Sequence, residues 1–92
     1  MIQSFKCTDT RLVYEGHGVR RFANIRAIAE RKLQMLDSAA SLDALRSPPG
    51  NRLEPLRADR TGQYSIRVNG QWRVCFVWTP DGPEAVELVD YH

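Results

Sequence analysis

Residues able to carry out acid–base and phosphate chemistry are concentrated in the middle and at the end of the sequence. A guanidinium group pairs well with phosphate oxygens, and a histidine near neutral pH can give or take a proton. RNA supplies its own nucleophile, the 2′-hydroxyl, so cleavage needs groups to take and return a proton and cations around the phosphate. Residues of these types could therefore cleave RNA, a reaction for which no metal ion or cofactor is required, and they stand at Arg46, Arg52, Arg57, Arg60, Arg67, Arg73, Asp90, Tyr91 and His92.

The same residues also have simpler interpretations. The net charge is only +2, so the arginines could form a solvated surface that keeps the protein in solution. A histidine at the end of a chain is often part of a frayed polar terminus. Residue types alone leave both interpretations open.

The composition predicts one compact domain over residues 1–92. A chain of 92 residues with 42% hydrophobic content can bury one modest core but cannot divide into two. Cys7 and Cys75 lack the paired spacing of a zinc site, and two cysteines are too few for a disulfide scaffold. The sequence has neither a leader-like segment nor a long apolar stretch, so we expect a cytoplasmic protein without a membrane partner.

The first half of the chain predicts a short strand and two helices. Ile2 to Phe5 is typical of a strand, and a brief helix is expected through Arg11 to Tyr14. From Ala23 to Asp37 the apolar residues recur at intervals of three and four, which predicts an amphipathic helix. Ser41 can begin one further helical turn before the prolines.

The second half predicts an antiparallel sheet with a hairpin turn at Asn69-Gly70. A two-residue turn would place the apolar rows of its strands on opposite faces, so we expect a three-residue connection with Gly70 left-handed. That parity puts Arg67 and Arg73 on one face, opposite the row containing Trp72. A final strand is expected from Ala85 to Val89, although its register stays open.

Together these elements predict an α+β fold. The N-terminal strand and the two helices pack on one face of a mainly antiparallel sheet of about four strands. The other face of the sheet is left free for binding.

Several short motifs, taken in order, resemble one known family. The sequence is similar to the HigB-type toxins of the RelE/ParE superfamily, and the segment from Arg46 to Glu54 resembles their GraT-like subgroup. The resemblance covers nearly the whole chain, and its motifs are Met1-Ile2-x-Ser4-Phe5-Lys6, Leu53-x-Pro55-Leu56, Asp59-Arg60-x-Gly62, Ser65-Ile66-x-Val68, Trp72-Arg73-x-x-Phe76 and Asp90-Tyr91-His92.

The resemblance implies a RelE-like fold and a toxin of a type II toxin-antitoxin system. Such a toxin is a metal-independent endoribonuclease that cuts mRNA in the ribosomal A site, in contact with the rRNA of the small ribosomal subunit, and so blocks translation. A HigA-like helix-turn-helix antitoxin neutralises it.

The resemblance also implies roles for individual residues. It makes Arg73 the cation that stabilises the phosphate, Asp90 and His92 the acid and base candidates, and Tyr91 an orienting or base-stacking residue. The expected RNA-binding residues are Arg57, Arg60, Arg67 and Gln71.

Glu54 departs from the HigB pattern, in which a histidine stands at this position. A carboxylate can accept the 2′-hydroxyl proton, but it repels phosphate when ionised. It could also serve only to orient Arg52 or Arg57 through a salt bridge. Because of this departure, one alternative is that the protein is a catalytically weak module that binds RNA or the antitoxin. A further alternative is a ParE-like gyrase inhibitor on the same fold.

Overall fold

The computed structural model describes residues 1–90 and places two helices ahead of a four-stranded antiparallel sheet. The strands follow one another in the order β1-β2-β3-β4. This confirms the α+β class and the predicted meander. The elements are α1 (Thr8–Tyr14), α2 (Arg26–Ser38), β1 (Glu54–Pro55), β2 (Tyr64–Arg67), β3 (Trp72–Thr79) and β4 (Gly82–Asp90).

The long helix begins later than the sequence pattern predicts. Its α-helical part starts at Arg26, and the preceding Arg20–Ile25 segment is a 3-10 helix. In a 3-10 helix residues three apart lie on the same side, which brings both Phe22 and Ile25 into the core. The turn predicted after Ser41 is also 3-10, over Asp43–Arg46.

One apolar core lies between the helices and one face of the sheet. Phe22 is completely buried, and its ring meets Trp72 edge to face with 5.2 Å between centroids. Trp72 thus packs against the core, as its place in the apolar row predicts. The buried members of this core are Val13, Phe22, Ile25, Ala29, Leu33, Leu36, Leu45, Ile66, Val68, Val74, Phe76, Val86 and Leu88.

The hairpin between β2 and β3 has the predicted three-residue connection, but its turn chemistry differs. Arg67 lies directly opposite Arg73, and the Val68 N–H bonds the Trp72 carbonyl at 2.9 Å. The expectation of a left-handed Gly70 is wrong, because Gly70 does not adopt a positive φ. Instead the Asn69 side chain closes the turn, since its Oδ1 accepts the N–H groups of residues 71 and 72, both at 2.8 Å.

The predicted N-terminal strand Ile2 to Phe5 is also wrong. This segment runs parallel to β4 but forms a single bridge, between Phe5 and Val86. The Ala85 N–H bonds the hydroxyl of Ser4 at 2.9 Å instead of a backbone carbonyl, so the ladder is interrupted. Ala85 itself has a φ of 51°, which marks a break in the regular extended backbone.

A β-bulge explains why the last strand lacks clean alternation. Between the pairs Cys75↔Glu87 and Val77↔Glu84, β4 contains one more residue than β3. The register beyond the bulge pairs Arg73 with Val89. This defines which β4 residues share a face with the arginine.

Strand β4 is also tied to α1 by one buried hydrogen bond. The Leu88 N–H donates to the Thr10 hydroxyl at 3.0 Å, and Thr10 is fully buried. Thr10→Val keeps the shape but removes the acceptor, so we expect the free energy of unfolding to fall by about 1–3 kcal/mol. Chemical denaturation measures this change. Thr10→Ser keeps the hydroxyl and serves as the control; an equal loss in both variants would contradict a role for the hydrogen bond.

No helix within residues 1–90 is long and apolar enough to span a lipid bilayer.

Candidate active site

The face of the sheet opposite the helices carries a row of polar side chains, here called the arginine face. Direct cross-strand partners share a face, and the pairs Glu54↔Ser65, Ser65↔Cys75 and Cys75↔Glu87 run across all four strands. The pair Arg67↔Arg73 extends the face toward the hairpin. Its members are Glu54, Ser65, Arg67, Arg73, Cys75 and Glu87.

This face is less open than the sequence predicts. Ser65 and Cys75 are fully buried, and only 8% of Arg73 is exposed. The expectation of a free sheet face is therefore wrong over its middle. Access is confined to its margins, where Glu54 is about half exposed.

Arg73 is held in one orientation by acceptors from two segments. Its Nε donates to the Ser65 hydroxyl at 2.7 Å, and its Nη2 donates to the Arg52 carbonyl at 2.7 Å. The same Nη2 lies 3.4 Å from the Ser65 carbonyl oxygen. A guanidinium group held in this way loses little further freedom when it binds an anion.

Glu54 lies beside this guanidinium group. Its Oε1 is 3.6 Å from the Arg73 Nη2. The sequence-based alternative of a salt bridge to Arg52 or Arg57 has the wrong partner, because the carboxylate pairs with Arg73. Glu54 also lines a cleft of about 360 Å³ together with Pro55, Leu56 and Arg57, so the carboxylate and Arg57 border the same opening.

Like charges meet at the hairpin end of the face. Arg67 lies directly opposite Arg73, an arrangement that is unfavourable without an anion between or beside the two groups. Lys32 of α2 adds to this positive region. Partial burial, then Arg31, then Arg67 lower the pKa of its amine.

The other expected RNA-binding residues are partly engaged within the protein. Arg60 pairs with Glu87, with 3.3 Å between Nη1 and Oε1. Cys75 lies close to this pair, and its burial raises the pKa of the thiol. Gln71 donates from Nε2 to the Asp90 carboxylate at 3.1 Å.

Asp90 occupies the end of β4, directly opposite Trp72. By the alternation of the strand, its position lies on the Trp72 side of the sheet, away from the arginine face. The structure thus places Glu54 next to Arg73 and on the same cleft as Arg57, and it assigns Asp90 to the other side. Tyr91 and His92, the remaining predicted site residues, lie outside the described residues.

The sequence did not predict two of the groups that hold Arg73. Ser65 was recognised only within a motif, yet its hydroxyl is a principal acceptor for Arg73. Its position two residues before Arg67 in an alternating strand already placed it on the same face. Nothing in the sequence indicates the role of the Arg52 carbonyl, because side-chain types do not show which backbone carbonyl accepts a hydrogen bond.

The geometry suits recognition of a phosphate by a fixed cation next to a carboxylate able to take a proton. Within residues 1–90 there is no group of three or more histidine, cysteine, aspartate or glutamate side chains placed to hold a metal ion.

The chain is similar to one known family of proteins. A family model described as the RelE-like toxin of the type II toxin-antitoxin system HigB matches residues 5–92. Over 94 aligned residues the chain is 31% identical to Endoribonuclease HigB of Proteus vulgaris, and both chains are covered completely.

Two further relatives are similar over part of their length. Toxin HigB-1 of Vibrio cholerae serotype O1 is 47% identical over 62 residues, which are 67% of this chain and 64% of that protein. An uncharacterized protein of Haemophilus influenzae is 41% identical over 54 residues, which are 59% of this chain and 54% of that protein. This chain therefore aligns with less than two thirds of either of these two relatives. The family model nevertheless spans nearly the whole chain, which belongs to the HigB-like family of RelE-like toxins of type II toxin-antitoxin systems.

Proposed function

We propose that this protein is an endoribonuclease that cuts mRNA in the ribosomal A site and thereby blocks translation. The observation that carries the proposal is the fixed guanidinium group of Arg73, with the Glu54 carboxylate 3.6 Å away beside an open cleft. The full-length similarity to a protein named Endoribonuclease HigB supports the same reaction.

The proposed reaction uses the RNA as its own nucleophile. The 2′-oxygen attacks the adjacent phosphorus while its proton passes to a base, and the bond from phosphorus to the 5′-oxygen breaks as that oxygen gains a proton. The products are a 2′,3′-cyclic phosphate and a 5′-hydroxyl end. Negative charge gathers on the phosphate oxygens in the transition state, where a preorganised cation stabilises it.

We assign the proton transfers to Glu54 and His92 and the charge stabilisation to Arg73. Glu54 accepts the 2′-hydroxyl proton, because its carboxylate lies next to the guanidinium group that would hold the phosphate, with 3.6 Å between Oε1 and the Arg73 Nη2. The family resemblance makes His92 an acid or base candidate and Tyr91 an orienting or base-stacking residue. With Glu54 as the base, we assign His92 the role of general acid. Asp90 positions the end of β4 through its contact with Gln71.

Binding of the RNA chain falls to the cations around the cleft and the hairpin. Arg57 borders the cleft, and Arg67 lies across from Arg73. Arg60 and Gln71 contribute at the edges of this region. We further propose contacts with the rRNA of the small subunit, action in the cytoplasm, and neutralisation by a HigA-like helix-turn-helix antitoxin.

The test is primer extension on mRNA in a translating extract, followed by analysis of the cut ends. We expect cuts within codons, 5′-hydroxyl ends, and no cutting at a nucleotide whose 2′-hydroxyl is methylated. The same mRNA without ribosomes tests ribosome dependence and should stay intact. Ends that carry a 5′-phosphate would contradict the 2′-hydroxyl mechanism. Intact mRNA together with inhibited DNA gyrase would overturn the proposed function.

A further inference from the structure

A buried amide lies directly before the residue whose carbonyl holds Arg73. Asn51 is fully buried, at the end of the 3-10 helix Pro49–Asn51. Its Nδ2 donates to the carbonyl oxygens of Leu45 and Ser47, at 3.1 and 3.3 Å. Its Oδ1 accepts a hydrogen bond from the Lys32 amine of α2. A buried amide is stable only when its polar atoms are paired in this way.

The lysine in this contact is held under unfavourable conditions. Lys32 is half-buried, and burial together with two neighbouring arginines lowers the pKa of its amine. A solvated lysine would avoid this cost. A role in keeping the protein soluble therefore does not explain why Lys32 is held against Asn51.

The backbone that follows Asn51 is also strained. Arg52 adopts the left-handed conformation, with φ 45° and ψ 55°, which L residues other than asparagine and aspartate rarely use. Its N–H bonds the Pro49 carbonyl at 3.1 Å. In this conformation the Arg52 carbonyl accepts the hydrogen bond from the Arg73 Nη2, so the strain is located where the guanidinium group is oriented.

We propose that Lys32 and Asn51 are positioning residues, which lock the Pro49–Arg52 backbone so that the Arg52 carbonyl fixes the guanidinium group of Arg73. The contacts run from Lys32 of α2 through the Asn51 amide and the next peptide unit to Arg73. The helix layer thus reaches the arginine face around the edge of the sheet. This inference rests on the proposed function for its effect on catalysis, but not for the geometry it predicts.

Lys32→Met is the variant that tests the proposal, because Asn51→Ala would leave buried carbonyl groups without a donor and so would change stability as well as position. We expect the single-turnover cleavage rate on mRNA-programmed ribosomes to fall by about tenfold, since small misplacements of a reacting group have effects of up to ~100-fold. The concentration giving half-maximal rate should stay unchanged. Lys32→Arg, which keeps the donor, should recover most of the rate. Arg31→Met, an exposed cation on the same helix, is the matched control and should behave as the unmodified protein.

A double-mutant cycle separates positioning from direct RNA binding. If Lys32 acts through Arg73, Lys32→Met should have little further effect in an Arg73→Ala background. A full multiplicative effect in that background would overturn the proposal, because Lys32 would then act on the RNA independently.

A measurement without RNA keeps this inference distinct from the proposed function. The Arg73 Nε–H donates to Ser65 and should give a resolved signal in a proton–nitrogen correlation spectrum, assigned by its loss in Arg73→Lys. We expect this signal to shift or broaden in Lys32→Met and to remain in place in Arg31→Met. An unaltered signal in Lys32→Met would overturn the positioning role even if the protein cleaves mRNA. A protein that never cleaves mRNA but shows the shift would overturn only the proposed function.

Discussion

Arg73→Ala is expected to slow mRNA cleavage by about 10²- to 10³-fold, equivalent to about 2.7–4 kcal/mol of lost transition-state stabilisation. The guanidinium group is held by Ser65 and Arg52 before RNA binds, so its reorganisation costs little during the reaction. Alanine removes both the charge and the orientation. Single-turnover cleavage on ribosomes programmed with a susceptible mRNA measures the effect directly.

Two variants control this experiment. Arg73→Lys keeps one positive charge but cannot donate to two acceptors in a fixed plane, so its rate should lie between those of alanine and arginine. Arg46→Ala removes an exposed arginine that pairs with Asp43 and should leave the rate unchanged. Cleavage by Arg73→Ala at the rate of the unmodified protein would show that the cation of the reaction lies elsewhere.

Glu54→Gln should separate proton transfer from charge repulsion. If the carboxylate accepts the 2′-hydroxyl proton, the cleavage rate should fall by about 10²-fold or more. At the same time, loss of a negative charge next to Arg73 should strengthen binding of RNA that cannot be cut because its reactive 2′-hydroxyl is methylated. Titration of such an RNA on programmed ribosomes gives the affinity, and single-turnover cleavage gives the rate.

The direction of the change in rate decides between the two roles of Glu54. Faster cleavage by Glu54→Gln would mean that the carboxylate restrains Arg73 and takes no part in proton transfer. Asp43→Asn, which neutralises a carboxylate paired with an exposed arginine, is the matched control and should alter neither quantity. If Glu54→Gln does cleave faster, the carboxylate of Glu54 weakens the toxin, which is the catalytically weak alternative that the sequence left open.

The part of the fold that the sequence predicts follows from the spacing of apolar residues and from the number of residues that connects two strands. The alternation of apolar residues in the two hairpin strands required a three-residue connection, and this alone placed Arg67 opposite Arg73. The left-handed conformation expected for Gly70 belonged to the type I turn with which a three-residue connection restores the parity. The Asn69 side chain made that conformation unnecessary by accepting two backbone N–H groups.

The errors concern interactions between segments far apart in the chain. Ile2 to Phe5 has the composition of a strand, but the bulge near Ala85 interrupts the ladder it would join. The sequence suggests Arg52 or Arg57, both close to Glu54 in the chain, as its partner in a salt bridge. Sheet pairing instead brought it to Arg73, nineteen positions away by number, because β1 and β3 flank β2.

The contacts along the outer side of β4 limit how another protein can bind the sheet. The N–H groups of Val86 and Leu88 are already bonded, to Ser4 and to Thr10. Lys6 bonds back to the Val86 carbonyl. At the opposite edge β1 has only two residues, too few to template a new strand. Strand addition, a common mode of peptide capture, is therefore disfavoured at both margins, and an antitoxin segment should bind through side-chain contacts, for example as a helix.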